Sequence, residues 1–270
     1  MSDNPLVRVD HPRPHVAVIT MDRPERMNAM SFDLVVPLRE AMDAVADDND
    51  TWVVVLTGAG KGFCAGADLE DSGIPPGIDG LGIAAISLKA MEYLSDLVLA
   101  LRAMPQPVIA AVNGPAIGGG MCLSLGADIR IAAQSARFRA AGITNGLTAN
   151  ELGVSYLLPR AIGASRAFEI LLSGRDVHAD EAERIGLVSR TVPDGELLDA
   201  CLELAERICG FSTVGTELTK QVLWSALEVN SLEAAINLEN RSQLHVRLMT
   251  DNFAEAIRAR RDRRPPNFVD

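Results

Sequence analysis

The chain has 270 residues, of which 48% are hydrophobic, 4% aromatic and 23% charged, and its 25 basic against 36 acidic side chains give a formal charge of -11. This length provides a sizeable apolar core without disulfide or metal staples. The acidic balance and the scarcity of aromatic rings argue against a nucleic-acid-binding protein, which needs a basic face and stacking rings, and against binding to an anionic membrane.

Short β-branched runs alternate with longer amphipathic segments in the first part of the chain, which predicts alternating strands and helices. Residues 72–82 contain four glycines and two prolines and predict an irregular loop, which at this length is mobile or functional. In chain order, we expect a strand at residues 15–21, a helix at 31–48, a strand at 52–57, a helix at 83–104, a strand at 106–112, a short helix from 121 and a strand at 128–133.

Helical patterns dominate the rest of the chain, where strand signals are few. The alternation before that point is typical of an α/β fold with parallel strands rather than hairpins. We therefore predict an α/β core over residues 1–195 and a helical region over 196–270. Helices in the later part are expected at residues 165–172, 179–185, 196–209, 216–227 and 231–249.

The four cysteines and four histidines lack the spacing of a disulfide framework or a metal site, so we predict neither. The N-terminal segment MSDNPLVRVDHPRPH lacks the uninterrupted apolar stretch of a signal peptide. No apolar run approaches the roughly 20 residues of a membrane span. We therefore expect a soluble cytoplasmic protein with neither a nucleic acid nor a membrane as partner.

Two glycine-rich loops superficially resemble nucleotide-binding motifs. GAGKGF carries Gly62 where a phosphate-binding loop needs serine or threonine for magnesium. Gly80, Gly82 and Ala85 fit G-x-G-x-x-A, but a proline-rich loop precedes them where a dinucleotide-binding fold has a strand. Neither loop therefore predicts a nucleotide site.

Two strand-to-glycine-to-helix junctions remain as candidates for a different kind of site. They are VVVLTGAGKGFCAGADL, which includes the GAGKGF loop, and VIAAVNGPAIGGGMCLSLGAD. Each offers unpaired amide protons at a turn or helix start. Two such amides aimed at one point form an oxyanion hole, which stabilises negative charge on a carbonyl oxygen. The alternative is that these glycines only let helices pack closely against strands.

The chain resembles the crotonase superfamily, the enoyl-CoA hydratases and isomerases, from about Pro14 to Phe268. The segments that carry the resemblance are MDRPERMNAM, GKGFCAGADL, AAVNGPAIGGGMCLSLGADIRIA, GVSYLLPRAIGASRAFEILLSGR, AERIGLVSRTV and RRPPNF. It implies a spiral of ββα repeats with a helical C-terminal trimerisation region, and hence a homotrimer or a dimer of trimers. It also implies an acyl-CoA thioester as substrate, no separate cofactor, and oxyanion-hole amides at Ala67 and Gly119.

The resemblance breaks at the two glutamates with which hydratases of this family add water. The positions that match them are Cys122 and Gly142, and neither residue is a positioned general acid. Cys122 lies in the first turn of a helix, which favours either a thiol with a lowered pKa or, more simply, a small buried apolar residue.

Glu151 falls where some branches of the superfamily place a catalytic aspartate, so we predict that it moves a proton at an acyl carbon. Thr148 and Glu151 also form the spacing of a capping box, in which the glutamate would only satisfy a helix N-terminus. Asp68, beside the first glycine turn, is expected to cap a following helix.

For the coenzyme A moiety, the resemblance points to the backbone around Arg26 and Ala29. An arginine run near the C-terminus offers charge for its phosphates, although it is equally consistent with a solvated helical face. The run consists of Arg258, Arg260, Arg261, Arg263 and Arg264. Further substrate contacts are expected at Ala65, Asp68, Leu69, Gly118, Cys122, Gly142 and Leu147.

Three functions are compatible with these residues. The first is an acyl-CoA isomerase or hydratase-like enzyme that uses Glu151 and the two amides, more isomerase-like than a two-glutamate hydratase. The second keeps the oxyanion hole for thioester hydrolysis, decarboxylation or dehalogenation. The third is a catalytically silent acyl-CoA-binding protein, because both hydratase glutamates are missing. We expect the first.

Overall fold

The computed structural model of the protein describes residues 5–268, which form nine strands and ten α-helices. The strands are Val7–Arg13 (β1), Val16–Met21 (β2), Val53–Gly58 (β3), Val108–Val112 (β4), Pro115–Ile117 (β5), Ile129–Ala133 (β6), Arg137–Arg139 (β7), Val177–His178 (β8) and Arg190–Val192 (β9). The helices are Phe32–Ala46 (α1), Ile83–Ala103 (α2), Gly119–Gly126 (α3), Val154–Ile162 (α4), Ala164–Ser173 (α5), Ala179–Ile185 (α6), Leu197–Cys209 (α7), Thr213–Ala226 (α8), Leu232–Met249 (α9) and Asn252–Asp262 (α10).

The strands form two sheets, of six and three strands. The larger has the order β1-β2-β3-β4-β6-β9 and is parallel except for the antiparallel pair β1–β2. The smaller has the order β5-β7-β8. Successive strands β4 and β5, and likewise β6 and β7, lie in different sheets before the chain enters a helix. This arrangement confirms the predicted ββα repeats and the preference for parallel strands.

Alternating side chains of the large sheet enter two separate cores, as the period of two requires. On β3, Val54 and Leu56 face the core shared with α1 to α5, whereas Val53 and Val55 face a smaller core. Helix α7 closes the smaller core with Leu197, Cys201, Leu202 and Ala205. Helix α7, the first helix after the predicted boundary at residue 196, therefore packs on the sheet, and helices α8 to α10 follow it.

The C-terminal helices are attached to the core unequally. Helix α8 docks through Lys220, which is 5% exposed, whereas α9 contributes no buried residue. A turn at Arg263 follows α10, and Arg264 returns to Glu255 on that helix. Within residues 5–268, no helix is long and apolar enough to cross a bilayer, and no cluster of three potential metal ligands occurs.

Candidate active site

The two glycine turns singled out in the sequence meet in the structure. The Met30 amide donates to the carbonyl oxygen of Gly66 at 2.7 Å, which ties the first turn to the start of α1. A Cβ atom added to Gly66 would lie 2.7 Å from the carbonyl oxygen of Ile117 and 3.2 Å from the amide nitrogen of Gly119. Only glycine at position 66, with φ of 84°, allows this approach.

The amides of Ala67 and Gly119 are left without an acceptor among the described residues. Met30 pairs with the residues on either side of Ala67, because it donates to Gly66 and accepts from the Asp68 amide at 3.2 Å. The Ala67 amide therefore points away from Met30. Gly119 opens helix α3, where a first-turn amide has no intrahelical partner.

Glu151 lies beside the second turn. Its Oε1 atom is 3.3 Å from the position that a Cβ atom on Gly118 would take, and Ala141 lines the same space. The side chain is partly buried, and no described residue donates a hydrogen bond to the carboxylate or pairs with it. Burial raises the pKa of Glu151. A carboxylate held this way is suited to taking up and releasing a proton.

The capping-box interpretation of Glu151 is wrong. Helix α4 begins at Val154 with Gly153 as its N-cap residue, so Glu151 lies before the helix. Thr148 directs its hydroxyl to the carbonyl oxygen of Asn150, 3.4 Å away, and does not cap the helix. Leu152, with φ of 43°, and Gly153, with φ of 84°, turn the chain between the carboxylate and α4.

Cys122 contacts Glu151, and Gly142 follows Ala141, which lines the space beside the Glu151 carboxylate, but neither residue offers an acid or base. The thiol of Cys122 donates to the carbonyl oxygen of Glu151 at 3.5 Å, and burial raises its pKa well above the ordinary value. Of the two interpretations of Cys122, the reactive thiol with a lowered pKa is therefore wrong, and the simpler one, a small buried apolar residue, agrees with the structure. At Gly142 a Cβ atom would collide with the carbonyl oxygen of Thr148, so this backbone has no room for a second carboxylate.

Asp68 stabilises the first glycine turn. Its carboxylate accepts from the amides of Glu70 and Asp71, each at 3.0 Å, and pairs with Arg23 at 2.6 Å and Arg26 at 3.6 Å. Hydrogen bonds from the Asp71 and Glu70 amides, with the two arginines, outweigh burial and hold its pKa at about 2. No helix begins directly after Asp68, since the next one, α2, starts at Ile83. Asp68 therefore caps a turn and not the expected helix.

Arg23 and Asn28 belong to this framework and escaped the sequence analysis. The Asn28 side chain donates to the carbonyl oxygens of Ala59 and Gly62, at 3.0 and 2.8 Å, from a backbone with φ of 56°. Both residues lie in the quoted segment MDRPERMNAM. The hydrogen bonds of Asn28 and the ion pair of Arg23 with Asp68 join segments that are distant in the sequence, so no local sequence pattern predicts them.

The remaining residues predicted to contact the substrate differ in how exposed they are. Ala29 is 7% exposed, so it offers only backbone, and the Ala65 amide donates to the carbonyl oxygen of Met27 at 3.0 Å. Leu69 and Leu147 are 77% and 70% exposed, which leaves two large apolar side chains open to a ligand.

The C-terminal arginine run divides into paired and unpaired members. Arg264 and Arg258 both pair with Glu255, and hydrogen bonds from Arg264 and the Asn267 amide hold the Glu255 pKa at about 2. Arg260 and Arg263 have no carboxylate partner among residues 5–268.

A cavity of about 630 Å³ lies elsewhere, between α8 and the ends of β4 and β6. It is lined by Leu125, Leu157, Ile208, Leu223 and Trp224 among others, and none of the predicted site residues reaches it. The predicted catalytic groups therefore lie at the glycine turns and not in this cavity, whose charged lining includes the ion pair of Lys220 with Asp128.

A family model described as enoyl-CoA hydratase/isomerase matches residues 13–270. The chain belongs to this family. It is 62% identical over 265 residues to the probable enoyl-CoA hydratase EchA12 of Mycobacterium tuberculosis, covering 98% of this chain and 93% of that protein. The match confirms the family expected from the glycine motifs.

Solved structures agree with this assignment. The probable enoyl-CoA hydratase/isomerase from Mycobacterium abscessus superposes with a TM-score of 0.94 at 56% identity, over 98% of each chain. A monofunctional enoyl CoA isomerase from M. smegmatis gives a TM-score of 0.74 at 56% identity, over 86% of this chain and 99% of that one. The protein is thus an enoyl-CoA hydratase/isomerase family enzyme with the crotonase fold, and its relatives carry both names.

Proposed function

We propose that the protein is an enoyl-CoA isomerase in which Glu151 moves a proton between two carbon atoms of an acyl-CoA. The observation that carries the proposal is a single partly buried carboxylate without a protein partner, beside two glycine turns with unpaired amides. The likeness to a protein titled a monofunctional enoyl CoA isomerase supports the same reaction class.

The proposed reaction begins with the thioester oxygen between the amides of Ala67 and Gly119. Glu151 removes a proton from C2 of a 3-enoyl thioester, and the electron pair of that C–H bond moves into the conjugated enolate. The two amides stabilise the negative oxygen. Glu151 then returns the proton to C4, and the electrons re-form the thioester carbonyl and a C2–C3 double bond. Atoms and charge balance with one base.

Hydration fits this site poorly. Adding water needs one group to activate the water and a second to protonate the neighbouring carbon. Gly142 has no room for a side chain, and the thiol of Cys122 is neutral and buried. Glu151 alone suffices for moving a proton from one carbon to another.

The substrate is proposed to be an acyl-CoA thioester, with no separate cofactor. Exposed apolar side chains at Leu69 and Leu147 would contact the acyl chain, and backbone around Arg26 and Ala29 would contact the nucleotide end. Arg260 and Arg263 are the arginines left for phosphates. A cytoplasmic homotrimer, or a dimer of such trimers, in fatty-acid or related acyl-CoA metabolism, completes the proposal.

Products from a panel of acyl-CoA thioesters test this function. The wild-type protein is incubated with 2-enoyl-, 3-enoyl-, dienoyl- and 3-hydroxyacyl-CoA. The products are separated, and their masses are measured by mass spectrometry. We expect a positional isomer from the 3-enoyl substrate and little hydration of the 2-enoyl substrate. Hydration at a comparable rate contradicts the proposal, and binding without any product indicates a silent acyl-CoA-binding protein.

A further inference from the structure

Leu152 adopts an unusual backbone for a branched side chain. Its φ of 43° lies in the left-handed region, which glycine occupies without strain and leucine rarely adopts. The next residue, Gly153, is also left-handed, so the chain makes two such turns between Glu151 and α4. Strain of this kind persists where the surrounding structure requires it, and it is concentrated at functional sites.

The side chain of Leu152 covers the turn that carries one of the two unpaired amides. Its Cδ1 atom lies 3.3 Å from the position that a Cβ atom on Gly119 would take, and Sδ of Met30 lies 2.5 Å from the same position. Leu152 is partly buried and packs against the main core. Two apolar side chains thus cover Gly119, which follows the glycine that the Glu151 carboxylate approaches.

The Glu151 carboxylate lies at the same turn, and its side chain is only partly buried. Gly118 and Ala141 approach the Glu151 carboxylate, and the backbone of Thr148 closes the space at Gly142. No described side chain donates a hydrogen bond to that carboxylate. Exchange of a proton on Glu151 with water then depends on what covers the open part of its side chain, namely the bound substrate and the neighbouring Leu152.

We propose that Leu152 is a positioning residue that keeps water from the proton held by Glu151, so that this proton returns to the acyl chain from which it came. This inference rests on the proposed isomerase function. It explains why a strained leucine follows the carboxylate, since glycine would relieve the backbone but leave the space open to solvent.

Turnover in deuterium oxide tests the inference. The wild-type protein and the Leu152→Ala, Leu152→Gly and Leu152→Met variants convert trans-3-hexenoyl-CoA, and deuterium at C4 of the product is measured by mass spectrometry before equilibrium. Leu99→Ala, an exposed leucine on α2, is the matched control. We expect little deuterium with the wild type, the control and Leu152→Met, and an increase of about threefold or more with alanine and glycine.

The glycine variant separates shielding from a merely structural role. Glycine relieves the left-handed backbone, so Leu152→Gly is expected to melt no lower than Leu152→Ala while it still admits deuterium. Folded alanine and glycine variants with the wild-type deuterium fraction overturn the inference. Full deuterium incorporation by the wild type also overturns it and leaves the isomerase function standing. Absence of any isomer from the wild type overturns the proposed function, and the inference with it.

Discussion

Two carboxylates near the first two glycine turns differ in their surroundings and hence in their roles. Asp68 accepts hydrogen bonds from three donors, has Arg26 as a second cation 3.6 Å away and has a pKa of about 2, which is the pattern of a structural group. Glu151 has no donor, and burial raises its pKa. A charged group that the fold leaves unpaired lowers stability, and such groups are concentrated at sites where a ligand or a proton uses them.

The destabilisation caused by the partly buried charge of Glu151 is measurable as a dependence of protein stability on pH. When folding raises the pKa of a carboxyl group, the free energy of unfolding falls as pH rises above the pKa of the unfolded state, about 4.3 for glutamate. The loss of stability is complete once the pH exceeds the pKa of the folded state. Glu151→Gln removes the charge. We expect this variant to melt above the wild type at pH 8, with a difference that shrinks toward pH 4 in thermal unfolding.

An exposed glutamate on α7 provides the control for that experiment. Glu203 forms no ion pair or side-chain hydrogen bond within the described residues. Glu203→Gln is expected to change the melting temperature little at any pH. A Glu151→Gln difference that does not vary with pH would mean that the carboxylate is not desolvated.

Sequence reasoning located the groups of the site better than their surroundings. The resemblance singled out Ala67, Gly119 and Glu151, because glycine turns and a carboxylate at a fixed spacing are local features. It could not decide between a base and a helix cap at Glu151, since that depends on where α4 begins. The closed space at Gly142 likewise depends on Thr148, which a sequence pattern does not place against it.

At the scale of elements, periodicity predicted the long segments and missed the short or atypical ones. Helices α2, α6, α7 and α9 begin and end within a residue of their predicted bounds. Strands β5 and β7 have three residues each, too few for a period of two to be recognised. Helix α4 is amphipathic, but it is short and contains Pro159, which predicts a break, and α10 is rich in arginine, which hides its apolar face.

Helix α8 is held to the core by one buried lysine. The Lys220 ammonium donates to the carbonyl oxygens of Leu101 and Gln106, at 3.0 and 2.9 Å, and pairs with Asp128 at 3.0 Å. Trp224, one turn later, donates to Asp128 at 2.6 Å. All three protons of the ammonium thus have an acceptor, so this lysine joins three segments of the core to α8.

Removing that lysine is expected to release α8 before the core unfolds. Lys220→Ala removes the cationic partner of Asp128, which keeps hydrogen bonds from Trp224 and the Val108 amide, and it removes the ammonium donor of two carbonyl oxygens. Breaking a buried ion pair in this way costs about 3 kcal/mol. In a Trp52→Phe background, Trp224 is the only tryptophan, and its fluorescence in urea reports the position of α8. Gln221→Ala, an exposed neighbour, is the control, and equal midpoints for both variants would contradict a docking role for Lys220.

At the scale of the whole molecule, the C-terminal helices leave apolar surface uncovered. Helix α9 has 18 residues and none of them is buried. A helix that packs mainly on its neighbours α8 and α10 gains little stability from the core. Large exposed apolar side chains on it are Leu232, Ile236, Leu244, Leu248 and Met249.

Association of copies through this surface is the expected outcome. Exposed apolar area of this kind is typical of a protein interface. A closed homotrimer would bury this surface on each of its three chains. Light scattering after gel filtration should give three or six times the mass of one chain, and Leu244→Arg should lower it. Glu233→Ala, exposed on the same helix, is the control, and a monomeric wild type would contradict the trimer.

The most direct test of the central claim is the turnover of a 3-enoyl-CoA by Glu151→Gln. Glutamine keeps the shape of the side chain but cannot accept the proton from C2, so we expect kcat to fall by about a thousandfold with KM nearly unchanged. The variant must melt no lower than the wild type, which the pH-dependent stability already predicts. Wild-type kcat in a folded Glu151→Gln protein would contradict the assignment of Glu151 as the catalytic base.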